Sequence, residues 1–175
     1  MVMQIETTRL ILRDYRPEDW ERVHIYGSQP EFSRFELWGP NSVEDTKKFV
    51  DSVVAEAKIA PRFKFNLAVC LKDGLLIGGN GIRRESQNSC VANLGWAINP
   101  EFQNRGYASE AAAGLIKFGF ESLNLRVIYA TCDARNSASF KVMEKVGMKR
   151  VGLLEKNLMQ KGHMRDSLRY EICRT

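Results

Sequence analysis

The strongest constraint on this chain is a change of hydrophobic period near its middle. From residue 63 to 98, apolar side chains recur at every second position, and turn residues cut the stretch into three strands. FKFNLAVCL (63–71) is one strand, Lys72-Asp73-Gly74 carries the Asp-Gly hairpin signal, and LLIGGNGIR (75–83) returns. Its glycines predict a bulge. Asn88 and Ser89 turn the chain again before CVANLGWAI (90–98). Beyond Asn99-Pro100 the pattern becomes helical: YASEAAAGLIKFGFES (107–122) has strong helix propensity and an apolar stripe through Ala111, Leu115 and Phe118. A strand, RVIYATCD (126–133), follows it. A meander that leaves through a helical crossover implies a mixed sheet, because neighbouring parallel strands need such a connection.

The flanking segments complete the order. RLILRD (9–14) alternates as a half-buried strand does. Pro17 opens a helix that runs to about Gly27, with Glu18 and Asp19 where the helix dipole favours acids. Residues 30–40 are irregular and aromatic, with Phe32, Phe35 and Trp38. Ser42 and Asp45 resemble a capping box for a second helix, whose Val43, Phe49, Val50, Val53 and Val54 fall near one face. After 126–133 come a helix at 137–146, closed by Gly147, and two strands at about 149–156 and 164–173, turned at Lys161-Gly162. The predicted order is β-α-α-β-β-β-α-β-α-β-β. The fold class is α/β (α+β): one domain spanning residues 1–175, a mixed, mainly antiparallel sheet of about seven strands flanked by about four helices.

Composition fits this reading. The chain is 44% hydrophobic and 27% charged, which argues against disorder. Its net charge of +5 is too small by itself to indicate a nucleic-acid partner. The whole excess lies between Lys141 and Arg165, either a solvated face or an anion site. The four cysteines (Cys70, Cys90, Cys132, Cys173) are widely spaced and read as reduced, mostly buried thiols of a cytoplasmic protein. His24 and His163 are far apart in sequence, so no metal is expected. No apolar run is long enough to span a membrane, and MVMQIETTRL has no signal-peptide core.

The chemistry concentrates in Gln103-Asn104-Arg105-Gly106-Tyr107-Ala108, between a strand and a helix. Backbone N–H groups at a helix start lack intrahelical partners, and the helix dipole adds positive potential there. Gly106 and Ala108 permit close approach, and Arg105 adds a charge. The loop is either a plain helix cap or a cradle for a pyrophosphate. No G-x-x-x-x-G-K-[ST] loop is present, and glycines 78, 79 and 81 lack the spacing and the following helix of a dinucleotide site.

Three segments, in order, carry a resemblance: ETTRLILRDYRPEDW near the start, NLGWAINPEFQNRGYASEA around the loop, and ARNSASFKVMEKVGMKRVG after the 126–133 strand. Together they make the chain resemble the GNAT superfamily of acyl-CoA N-acyltransferases over nearly its whole length. It is most similar to the branch containing the ribosomal-protein N-terminal alanine acetyltransferases. The resemblance implies acetyl-CoA as co-substrate and a primary amine as acceptor, foremost a protein N-terminus, in a monomer or homodimer. It implies that Ala97 and Ile98 offer backbone groups to the pantetheine arm and that an N–H there stabilises the oxyanion. Gln103, Asn104, Arg105, Gly106, Tyr107, Ala108 and Ser109 would bind the pyrophosphate. Asn136 and Ser139 would face the pantetheine and sulfur, although Asn136 reads equally as a helix N-cap. Lys141, Lys145 or Arg105 would meet the 3′-phosphate. Phe32, Phe35, Trp38 and Trp96 are expected as walls of the acceptor pocket, with Glu36 as a substitute base or amine anchor.

Two positions depart from the family pattern. Asn93 stands where many relatives carry the general base Glu, and Asn takes no proton at neutral pH. Met143 stands where others carry a proton-donating Tyr, which leaves Ser139 beside the departing sulfur. An α-amine of pKa ~8 is about one-tenth neutral at pH 7, and a lysine amine only about once in 2,500. A site without an evident base therefore favours an α-amine. The alternatives are a small amine (polyamine, amino acid or drug) and a catalytically weak CoA-binding regulatory module.

Overall fold

A computed structural model describes residues 3–174; residues 1, 2 and 175 of the predicted domain lie outside it. Its centre is one eight-stranded sheet in the order β1-β2-β3-β4-β5-β6-β8-β7. The strands are β1 (Gln4–Glu6), β2 (Leu10–Asp14), β3 (Lys64–Leu71), β4 (Leu76–Arg84), β5 (Val91–Ile98), β6 (Val127–Asp133), β7 (Lys149–Gln160) and β8 (His163–Cys173). Every pairing is antiparallel except β5 with β6. That pair is the one joined by the helical crossover.

Four helices cover the sheet: α1 (Trp20–Gly27), α2 (Val43–Glu56), α3 (Tyr107–Glu121) and α4 (Ser137–Lys145). Side-chain alternation on β3 separates two cores. Leu67 and Val69 point to a cluster shared with α3, including Ala111, Leu115 and Ile116. Ala68 and Cys70 point to a second cluster with Val23, Tyr26, Val50 and Val53 of α1 and α2. The sheet is thus buried on both faces, α1 and α2 on one and α3 and α4 on the other.

Local chemistry explains the boundaries. The Ser42–Asp45 box forms: Ser42 Oγ accepts from the Asp45 N–H at 3.1 Å, and Asp45 Oδ2 accepts from the Ser42 N–H at 3.0 Å. Gly147, at φ +86°, ends α4 with its N–H on the Glu144 carbonyl.

Several expectations change. β1 adds a strand; with three residues and one central apolar side chain it carries no periodic signal. The helix expected from Pro17 begins as a 3-10 turn, Pro17–Asp19. Of the apolar face expected on α2, Val43 and Phe49 are exposed; only Val50 and Val53 are fully in the core. The β4 irregularity falls beside Ile77, just before the glycines. β7 passes Lys156, where the ladder slips and φ reaches +42°, and resumes to Gln160. All four cysteines are free, but only Cys70 and Cys132 are buried.

Candidate active site

The start of α3 is built as an anion cup. Gly106 caps the helix with φ +81°, and the first helical bond runs from the Glu110 N–H to the Gly106 carbonyl. Among the described residues, the N–H groups of Gly106, Tyr107, Ala108 and Ser109 find no acceptor, as the geometry of a helix start requires. A Cβ on Gly106 would stand 3.4 Å from the Arg9 guanidinium and 3.8 Å from Lys145 Nζ. Asn104, Arg105, Gly106 and Ser109 line a concavity of about 500 Å³ with Arg9 and Lys145. Lys141 does not border it.

Arg9 escaped the sequence reading because it lies about a hundred residues upstream. Its guanidinium donates to Glu110 at 2.7 Å and to the Arg105 carbonyl at 3.0 Å, and it stacks 4.6 Å above the Tyr107 ring. Burial would raise the Glu110 carboxyl, but hydrogen bonds from Thr7 and Arg9 outweigh it and hold the group below the usual range. Gln103 behaves differently from its neighbours. Its amide donates to the Ile98 carbonyl at 2.8 Å and ties the loop to the end of β5.

β5 and β6 are paired only from Val91 to Asn93 on β5. Beyond Asn93 they part, so residues 94–98 have no partner on the β6 side. The fork opens into a cavity of about 820 Å³ lined from both faces of the sheet, by Asp45 and Phe49 of α2 and by Ser139 of α4. Asn93, Ala97, Asn136, Phe35, Glu36 and Trp38 also border it. Trp96 borders it too, but it stands opposite Asn80, whose amide reaches the Ala111 carbonyl, and packs on the α3 core. Phe32 is set back: its ring meets Tyr26 at 5.0 Å and Trp38 at 5.7 Å, bracing the wall from behind.

The β7–β8 hairpin holds the 33–36 loop over this cavity. Lys161 Nζ donates to the Ser33 carbonyl at 2.6 Å, Gln160 to the carbonyls of Arg34 and Glu36, and Arg165 to that of Phe35 at 2.9 Å. Sequence separations near 125 residues hid this clamp. It sets Glu36 half-buried at the cavity wall. Burial raises the Glu36 carboxyl, and Arg165 and Lys161 offset only part of that.

The remaining groups divide by chemistry. Asn136 is the N-cap of α4, its Oδ1 accepting from the Ser139 N–H at 3.1 Å, and it also faces the cavity. Cys132 lies beside Ser139, and burial pushes its thiol up to about 11 despite that contact. Met143 is fully buried, so α4 presents no proton donor from that position. His24 pairs with Thr46 at 3.0 Å, away from the cavity. Among the described residues, no three His, Cys, Asp or Glu side chains are grouped as metal ligands, and no helix is long and apolar enough to cross a membrane.

Known proteins resemble this chain in sequence and fold. A family model described as an acetyltransferase (GNAT) domain matches residues 9–149. An uncharacterized N-acetyltransferase of Bacillus subtilis, YnaD, is 34% identical over 97% of this chain and 96% of its own. The crystal structure of a GNAT-family acetyltransferase from Bacillus anthracis superposes with a TM-score of 0.86 at 34% identity, covering 98% of both chains. RimL, an alpha-N-protein acetyltransferase of ribosomal L7/L12, superposes at 0.87 with 18% identity over 99% of this chain and 96% of its own, a likeness of fold alone. A matched domain of this extent and a full-length relative place the chain in the GNAT acetyltransferase family.

Proposed function

We propose that the protein transfers the acetyl group of acetyl-CoA directly to a primary amine, foremost the α-amine of a peptide or protein N-terminus. One observation carries this reading. The unpaired edge of β5 leads from a cavity holding Glu36 to the loop whose end is the Gly106 cup. That path suits a long co-substrate with phosphates at one end and a reactive acyl group at the other.

The residues present fit it. The free N–H groups from Gly106 to Ser109, with Arg9 and Lys145, match a pyrophosphate. The 94–98 segment offers backbone groups to an extended amide arm. Acetyl-CoA supplies an acyl group on a thiol that leaves readily. A backbone N–H of residues 94–98 polarises the acyl carbonyl. Glu36 takes the amine proton, directly or through water, and the burial that raises its carboxyl makes it a stronger base. The Ser139 hydroxyl donates toward the departing sulfur. Cys132 stays protonated, so the amine attacks without a covalent enzyme intermediate. Free thiols suit a reducing compartment, and we place the protein in the cytoplasm.

The cavity volume also lies in the small-ligand range, which favours a compact amine as second reading. Assay of matched α-amino and lysine peptides across several pH values tests the first. The expected result is faster acetylation of the α-amine throughout; a clear lysine preference contradicts it.

A further inference from the structure

One arginine on the α1–α2 face has no task in the site above. Arg83 stands on β4, directly across from Asn93 on β5 and Lys64 on β3. Two positions along, Gly81 and Gly95 face each other across the same two strands. The Arg83 guanidinium lies over this bare patch. A Cβ on Gly81 would come 2.8 Å from its Nη2, and one on Gly95 would come 3.6 Å from its Nη1. All four residues border the acceptor cavity.

Among the described residues, the guanidinium has neither an ion pair nor a hydrogen bond. The carboxylate that interacts with it at longer range, Glu56, is engaged by Lys64 at 3.3 Å and by Asn66 at 3.0 Å. Burial lowers the Arg83 pKa, and Glu56 and Tyr15 compensate only in part. Its cross-strand neighbour explains the isolation. Directly opposed side chains in an antiparallel pair lie within reach of one another, and a carboxylate at 93 would neutralise Arg83. Asn93 cannot. The carbonyl oxygen of Asn66, buried and without a donor, stands over the same glycine, 2.7 Å from the Gly81 Cβ position. That oxygen is closed to solvent, so what a ligand meets at this spot is the unmatched cation, and a ligand bearing an oxyanion satisfies it.

We propose that Arg83 is the specificity residue of the acceptor pocket, and that the acetylated amine carries a carboxylate or phosphate which Arg83 binds while the neutral Asn93 leaves it free to do so. The inference rests on the acetyl-transfer reading and deepens it. A guanidinium fork grips such an oxyanion through two parallel hydrogen bonds. The same charge repels a polyamine, whose remaining groups are cationic.

The test uses the full chain and peptides that differ only at their second residue: aspartate, phosphoserine or asparagine. Amino acids paired with their amides extend it to compact acceptors. In the wild type, kcat/KM for an acidic member exceeds that of its neutral partner about tenfold, as one charge-assisted contact implies. The better of the aspartate and phosphoserine arms identifies the anion. Arg83→Gln brings the ratio toward one. Asn93→Glu, which seats a carboxylate opposite Arg83 on the same cavity, also brings the ratio toward one. A second readout needs no turnover: the acidic peptide already acetylated at its N-terminus binds about tenfold more weakly to Arg83→Gln by calorimetry. Acetyl-CoA-dependent thermal stabilisation, equal in all variants, shows that each is folded. Equal turnover of acidic and neutral partners, or an unchanged ratio in Arg83→Gln, overturns the inference and leaves acetyl transfer standing. If no amine is acetylated, the transfer reading falls, and equal product binding in the two proteins overturns the role of Arg83 as well.

Discussion

Burial acts on Glu36 and Cys132 with opposite consequences for the proposed mechanism. Both are desolvated, and burial raises both pKa values. For a carboxyl this moves the proton affinity toward neutrality and makes a better base. For a thiol, pushed up to about 11, it removes the nucleophilic thiolate. Two outcomes follow. The acid limb of kcat/KM in the wild type lies above the ordinary carboxyl value of 4.5, because Glu36 must lose its proton before it can accept one from the amine. Glu36→Gln removes the carboxyl ionisation from that limb, leaving only the titration of the amine itself, and lowers the rate by roughly 10²- to 10⁴-fold, as removal of a general base does. Cys132→Ala, by contrast, retains turnover of the same order, and no acetylated enzyme is found by mass spectrometry in either protein. A pH profile of each variant checks both.

Elements contribute through long-range tethers. The β7–β8 hairpin fixes the 33–36 loop by side chain to carbonyl bonds, so loosening it affects the acceptor and spares the cup. Replacing Gln160 and Lys161 together by alanine raises the KM for the amine and leaves acetyl-CoA affinity unchanged in steady-state assays. The α3 start is tethered to the β1–β2 turn through Glu110, which accepts from Thr7 and Arg9. Its folded pKa is lowered, so its stabilisation is present above the unfolded value of 4.5 and is lost as pH falls through the folded one. The gap in melting temperature between wild type and Glu110→Gln is therefore widest near neutrality and closes on acidification. These tethers were illegible in the sequence because each joins residues about 100 or more apart. The helices and the meander were legible, since caps, turns and period are local signals. The expected strand at about 149–156 falls short of Gln160 because its continuation rests on pairing with β8, which resumes at Leu158 beyond the slip.

At the scale of the molecule, the fork between β5 and β6 joins two faces with separate cores. The cup lies at the start of α3, and the cavity opens through the fork, with Glu36 and Arg83 on its border. The Gly106 loop could be read from sequence because its chemistry lies in consecutive residues. The cavity could not, because its walls come from the loop at 30–40, both faces of the sheet and the final hairpin. Phe32, Phe35 and Trp38 look equivalent in sequence, and only packing distinguishes the bracing ring from the two lining ones. The account as a whole stands on the backbone N–H groups at the start of α3. Titration calorimetry of acetyl-CoA into wild type and Gly106→Val tests them most directly, since the new side chain meets a φ of +81° and crowds Arg9. The account predicts one-to-one binding in the wild type and a loss of about tenfold or more in the variant. No binding to the wild type, or equal binding to both, would contradict it.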